Sequence, residues 1–199
     1  MAITAEQVKQ LRDKTGAGMM ECKAALTEAN GNEEEAITLL RKRGLAQAAK
    51  RAGRATAQGT IGTYIHLGGR IGVMVEVNCE SDFVARTDDF SNLVKEVAMH
   101  IAAADPKWVR REDVPAEAIE KEKGIYRAQM EGQNKPANVI DKIIEGKLGS
   151  FYSQFVLLDQ PSIRDGNVTI AQVVAAASAK TGENIQISRF TRYRVGEEV

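Results

Sequence analysis

From Gly59 to Cys79 the apolar side chains fall at every second position: Ile61 and Ile65 around Thr63, then Leu67, then Ile71, Val73, Val75, Val77 and Cys79. A period of two marks extended chain with one face turned to a core. Gly68-Gly69, between the two runs, supplies the turn. This segment commits the chain to a β-hairpin, so the helical patterns on either side must be arranged around a sheet. Register follows from loop length. A two-residue loop sets Leu67 against Arg70 and sends the two apolar rows to opposite faces. A three-residue loop, Gly68-Gly69-Arg70, sets Leu67 against Ile71 and Ile65 against Val73, giving one coherent buried face. The second register is the expectation, with Glu76 and Asn78 facing outward.

Before the hairpin the period is helical. Thr4 and Gln7 have capping-box spacing ahead of Val8 and Leu11, and Gly16 and Gly18 end that helix. A second helix runs from about Met19 to Ala29 and stops at Asn30-Gly31. A third follows the capping pair Asn32 and Glu35, carries Ala36, Ile37 and Leu40, and ends near Gly44. The result is a very small three-helix bundle with a core of Ala, Val and Leu. On the second helix Met19, Cys22, Leu26 and Ala29 share one face. Met20, Lys23, Ala24 and Thr27 share another, so Met20 stands on the more polar side. It packs under a neighbouring loop or serves as an adaptable contact. LAQAAKRAGRATAQ (45–58) is Ala-rich and basic, a helix running on into a linker whose charges read as a solvated face.

After the hairpin, Ser81 or Asp82 caps a short turn. Phe90, Leu93, Val94, Val97, Ala98 and Ile101 then mark a helix that ends at Asp105-Pro106. Pro115 opens a charged helix over about 116–131. Pro136 opens an apolar partner carrying Val139, Ile140, Ile143, Ile144, Leu148, Phe151, Tyr152 and Phe155, weakened by Gly146 and Gly149. With the connection GQNK the two make a helical hairpin of about 116–157. A helix over about 169–181 and a strand over 184–195 complete the order, with a bulge near Ser188-Arg189 and a frayed end at Gly196-Glu197-Glu198. The fold class is α+β, divided into a helical region 1–52, a linker 53–58 and an α+β core 59–199.

Composition excludes several functions. The 199 residues are 43% apolar and 27% charged, with no formal net charge, so no phosphate-neutralising surface is implied. Lys50, Arg51 and Arg54, with Arg189, Arg192 and Arg194, leave RNA binding as a weaker alternative. Cys22 and Cys79 have neither disulfide-framework nor zinc spacing, and with only two histidines a closed metal site is not expected. A reducing compartment follows. The first residues hold no apolar signal core and no run approaches a membrane span, so the expectation is a mature start in the cytoplasm, without membrane contact. There is no GxSxG and no phosphate-binding loop. TGAG at 15–18 follows a helix instead of a strand, which removes the dinucleotide reading. His100 lies in an apolar helical setting and reads as a satisfied core or edge histidine.

Aromatic residues make up only 5% of the chain, so the placement of Phe83 beside Asp82 at the end of a strand stands out. LRDKTGAGMMECKAAL (11–26) resembles the N-terminal signature of the bacterial translation elongation factor Ts family. NCESDFVAR (78–86) resembles its second signature, whose usual core is Thr-Asp-Phe-Val. VAMHIAAADPKWVRREDVP and the closing RFTRYRVGE are similar to it as well, and the order is the family's along nearly the whole chain. The resemblance implies a ubiquitin-associated-type helical N-terminal domain and an α+β core with an antiparallel sheet. It also implies a nucleotide-exchange factor that releases GDP from the GTPase elongation factor Tu, with no cofactor and no covalent chemistry.

Carried over by position, Asp82 and Phe83 match the pair that reaches toward the partner's magnesium-binding region. Ser81 and Val84 complete that segment. Met19, Met20 and Lys23 match the motif that docks on a partner helix, and His100 matches a core-domain contact. Asp82 is open to two readings, a cap of the following turn or a charge aimed at the magnesium site. Ser81 stands for the usual Thr, and Ala24 for a common second Lys. The chain has one core module where long members have two, which implies a homodimer and a two-to-two complex with the GTPase. A binding module for peptides or ubiquitin-like partners is the competing reading.

Overall fold

The structure is a computed structural model that describes residues 3–130 and 136–197. Its contacts divide the chain into two compact units. One is built from Met1–Ile61, Glu76–Lys95 and Gln172–Ile187, the other from Gly62–Val75, Glu96–Ala171 and Ser188–Val199.

The first unit begins with helices α1 (Ala5–Thr15), α2 (Met19–Glu28) and α3 (Glu33–Arg51). The capping box is present: the Gln7 amide donates to Thr4 Oγ1 at 3.2 Å and the Thr4 amide to Gln7 Oε1 at 2.9 Å. Asn32 Oδ1 accepts from the Glu35 amide at 3.2 Å and starts α3. Val8, Leu11, Cys22, Ala25, Leu26, Ala29 and Ala36 form the bundle core. Where the sequence placed a stop near Gly44, α3 continues unbroken to Arg51. The cost of one helical glycine, about 1 kcal/mol, is offset by tertiary contacts. Arg51 Nη1 donates to the Ser178 carbonyl at 3.3 Å, on helix α8 (Ile170–Thr181).

A three-stranded antiparallel sheet follows, in the order β1 (Gln58–Ile65), β2 (Ile71–Cys79), β3 (Gln186–Arg194). Its hairpin corrects the expected register. The His66 amide donates to the Ile71 carbonyl at 2.9 Å, so residues 67–70 form a four-residue connection. Ile65 then lies across from Gly72, and a Cβ on Gly72 would stand 3.1 Å from Ile65 Cδ1. Val73, Val75, Val77 and Cys79 are buried, while Ile65 and Leu67 are 67% and 93% exposed. The two apolar rows therefore take opposite faces, the outcome set aside when a single buried face was assumed. At the other end of β1, Gly59 has φ +149°, and a Cβ there would come within 2.2 Å of the Val77 carbonyl oxygen. Only glycine allows the strands to close at that point.

Helix α4 (Asp82–Ala85) is a single turn leading into α5 (Asp88–Ala104). On α5, Phe90, Leu93, Val94, Val97, Ala98 and Ile101 are all buried, as the spacing requires. In the second unit α6 (Ala116–Ala128) and α7 (Ala137–Phe155) are the two arms of the helical hairpin. Their connection, GQNK at 132–135, lies outside the described residues. Val114, Phe151 and Val156 pack with Trp108, Ile119, Tyr152 and Phe155. The ring centroids of Phe151 and Phe155 are 5.1 Å apart, and Arg111 lies over Tyr152 at 4.8 Å while bonding Asp159. Gly146 and Gly149 do not break α7, and the space beside both is open.

Candidate functional site

Where β2 ends, the chain has to stop being a strand without exposing its last amides. Glu183, just past α8, supplies the acceptor. Its carboxylate takes the Glu80 amide at 3.1 Å and the Ser81 amide at 3.0 Å on Oε2, and the Ser81 hydroxyl at 2.6 Å on Oε1. Ser81 Oγ in turn accepts from the Val84 amide at 3.3 Å and is the N-cap of α4. The capping role thus belongs to Ser81. Asp82 instead pairs with Arg86 one turn on, at 2.9 Å, an exposed ion pair of small energetic weight. Thr87 closes the far side: its hydroxyl donates to the Val84 carbonyl at 2.8 Å and accepts from the Phe90 amide at 3.3 Å.

The side chain carried on this braced turn is Phe83, 81% exposed. Val84 is half-buried beneath it. Cys79 lies buried behind the turn and donates to the Ser81 carbonyl at 3.1 Å. Burial, with Glu183 and Asp82 adding to it, pushes its thiol pKa above the ordinary value, so the sulfur stays protonated and packs as a small apolar group.

The second candidate surface is the start of α2. Met20 is 75% exposed, and Met19 and Lys23 are exposed beside it. The helical spacing had grouped Met19 with Cys22 and Leu26. As the first residue of α2 it overhangs the end of the bundle core and keeps much of its surface in solvent.

His100 is the exception among the residues singled out. It is 0% exposed. Gln160 donates its amide N–H groups to the carbonyls of Gln154 at 2.7 Å and Ala104 at 3.3 Å, which turns its oxygen toward His100 Nε2 at 2.9 Å. Nε2 is therefore the protonated nitrogen, and Nδ1 is buried without a partner. Burial lowers the pKa of the ring below its ordinary value. A ring with no exposed surface makes no direct contact with a docking protein in this conformation.

Sequence reading did not single out Glu183, Asn184 or Glu80. A lone carboxylate after a helix carries no periodic signal, and its partners stand about a hundred positions earlier. Among the described residues no group of three His, Cys, Asp or Glu is disposed to hold a metal ion, and no helix is long and apolar enough to cross a membrane.

A family model described as Elongation factor TS matches residues 2–197. The elongation factor Ts of Fervidobacterium nodosum is 60% identical over 197 residues, covering 99% of this chain and 100% of that protein. That of Solibacter usitatus is 58% identical over 195 residues, covering 98% of this chain and 92% of its own. That of Koribacter versatilis is 57% identical over 197 residues, covering 99% and 90%. With a rigid turn offering an exposed Phe83, an exposed methionine pair on α2 and likeness along the whole length, the chain belongs to the elongation factor Ts family, the guanine-nucleotide exchange factors of elongation factor Tu in translation elongation.

Proposed function

We propose that this chain docks on GDP-bound elongation factor Tu through Met19, Met20 and Lys23, and releases GDP by pressing the Ser81–Val84 turn against the partner's magnesium and phosphate region. Phe83 is the wedge, and Asp82 brings negative charge to where the cation is held. The observation that carries this reading is the combination at Phe83: a large apolar ring, 81% exposed, on a turn whose backbone amides are tied down. An exposed aromatic on a rigid mount fits a pocket in a partner. The pocket's loss of metal and phosphate contacts then weakens the nucleotide, and the nucleotide reciprocally weakens the factor.

Magnitudes call for more than the wedge. A thousandfold faster release needs a barrier lower by about 4 kcal/mol. One phenylalanine, fully buried, contributes about 2–3 kcal/mol. The remainder falls to the docking surface, with residues 1–52 as the docking part, 53–58 as the connection and 59–199 as the core. His100 enters as internal support for α5 through Gln160. The site of action is the cytoplasm, where translation runs.

We propose further that two copies pair and bind two GTPase molecules. The apolar row left open on the sheet in the second unit, Ile65, Leu67, Met74 and Tyr193, favours a second copy as its cover. The decisive experiment for the exchange reading is stopped-flow release of fluorescent GDP from elongation factor Tu. Phe83→Ala is expected to retain the wild-type circular dichroism and melting temperature while lowering the maximal release rate at least tenfold, about 1.4 kcal/mol or more. Release at the wild-type rate by a folded Phe83→Ala variant would overturn it.

A further inference from the structure

Phe83 acts as a wedge only if its mount does not yield, and the mount is made from a distant part of the chain. Four hydrogen bonds meet at the exit of α8. Glu183 holds the Glu80 amide, the Ser81 amide and the Ser81 hydroxyl. The Asn184 amide donates to Glu80 Oε1 at 2.6 Å, and this same oxygen takes Arg54 Nη1 at 3.4 Å. The buried Asn184 side chain faces the other way, toward the segment that leaves α3, and donates from Nδ2 to the carbonyls of Arg54 at 2.9 Å and Ala52 at 3.4 Å. The base is fixed to α8 itself: Ser178 Oγ donates to the Glu183 carbonyl, and Arg51 reaches the Ser178 carbonyl from α3. All of these residues belong to the first compact unit.

We infer that Glu183 and Asn184 form a two-sided latch that positions the residues of the exchange reaction without touching the partner. Glu183 fixes the turn that carries Asp82 and Phe83. Asn184 fixes the segment joining that turn's mount to the helices that carry Met19 and Met20. The inference rests on the exchange reading above and adds the residues that make it efficient. A carboxylate accepting three bonds on two oxygens is a stiff support, since each bond to a charged acceptor is stronger than a neutral one. Without it the strand end regains freedom, and the wedge spends its contact energy on being ordered.

The two halves separate experimentally. Glu183→Ala is expected to lower the maximal rate of GDP release about tenfold, because small misplacements of a working group are costly. The concentration giving half-maximal rate should change less than about threefold, because α2 is untouched. Hydrogen exchange at the amides of Glu80, Ser81 and Val84 should speed up at least about tenfold, with the amides of α1 and α2 unchanged. Glu183→Gln keeps an acceptor oxygen for the two amides and should restore most of the rate. Asn184→Ala should do the reverse, raising the half-maximal concentration and holding the maximal rate.

The double variant Phe83→Ala/Glu183→Ala is the arbiter. If the latch works only through the wedge, the double variant releases GDP no more slowly than Phe83→Ala alone. Additive losses, or an unchanged maximal rate in Glu183→Ala with wild-type exchange at residues 80–84, would overturn the latch. They would leave the wedge standing if Phe83→Ala is slow. A Phe83→Ala variant at full speed would instead remove the exchange reading itself. Should Glu183→Ala fail to fold, Glu183→Gln decides: its neutral oxygen keeps both amides but holds them less tightly than a carboxylate, so exchange at the Ser81 amide should rise by less than the roughly tenfold expected of Glu183→Ala, and wild-type exchange there would overturn the latch.

Discussion

At the scale of single residues the molecule separates two ways of using an unusual side chain. Phe83 is displayed and Asp82 is left to a weak surface pair, so both are available to another molecule. His100 is the opposite case, withdrawn from solvent and held in one tautomer by Gln160. Its lowered pKa fixes the sign of a pH effect. The unfolded chain takes up a proton near the ordinary histidine value of about 6.5, whereas the folded chain resists it. The stability that depends on a neutral His100 is therefore complete above that pH and is lost as pH falls through it. Urea unfolding of wild type and His100→Gln between pH 7.5 and 5 checks this. The wild type is expected to lose more of its midpoint over that interval than the variant.

Among the elements, α3 is the instructive one. Gly44 is a local mark of a helix end, while the Ala-rich, basic stretch beyond it reads as helix again, so the local signals alone leave open whether the helix stops there. The helix continues, because its last turn is held from outside by Ser178. A Cβ at Gly44 would sit 3.7 Å from Ala179 Cβ, an ordinary packing distance. Gly44→Ala should accordingly stabilise the protein by about 0.5–1 kcal/mol by removing unfolded-state freedom, seen as a higher urea midpoint with an unchanged slope. Destabilisation would mean that α3 and α8 approach more closely than this structure has them. The strands teach a related lesson. The alternation along β1 and β2 marks both as strands, but their relative phase turns on a four-residue connection, and turn length is poorly encoded when two glycines and an arginine all tolerate the bend.

For the whole molecule, the open sheet face is the feature that an isolated chain does not explain. Ile65 and Leu67 together with Met74, Tyr193 and Val195 are exposed large apolar residues of the second unit. Monomers seldom leave such side chains uncovered in a group. If a second copy covers them, Leu67→Lys, or the pair Ile65→Lys and Leu67→Lys, should shift the mass in sedimentation or light scattering from two chains to one. The circular dichroism of each chain should stay the same. A wild-type chain that sediments as a monomer at micromolar concentration and above would end the two-to-two proposal while leaving the role of Phe83 intact.

The local code settled a good deal by itself. Capping pairs at Thr4 and Asn32, the period of two after Gly59 and the helical spacing from Phe90 to Ile101 named the elements in order, because each signal lies within a few residues of what it controls. The placement of Phe83 at a strand end also stands out in a chain with few aromatics, although its outward role comes from the family resemblance and its exposure from the structure. Tertiary structure alone decided how β1 is phased against β2, whether α3 survives its glycine, and whether His100 reaches the surface. It alone revealed Glu183 and Asn184 as the support of the Phe83 turn. Each of those outcomes depends on partners distant in sequence, brought together only when the chain closes on itself, and no local pattern records which distant residue will be there.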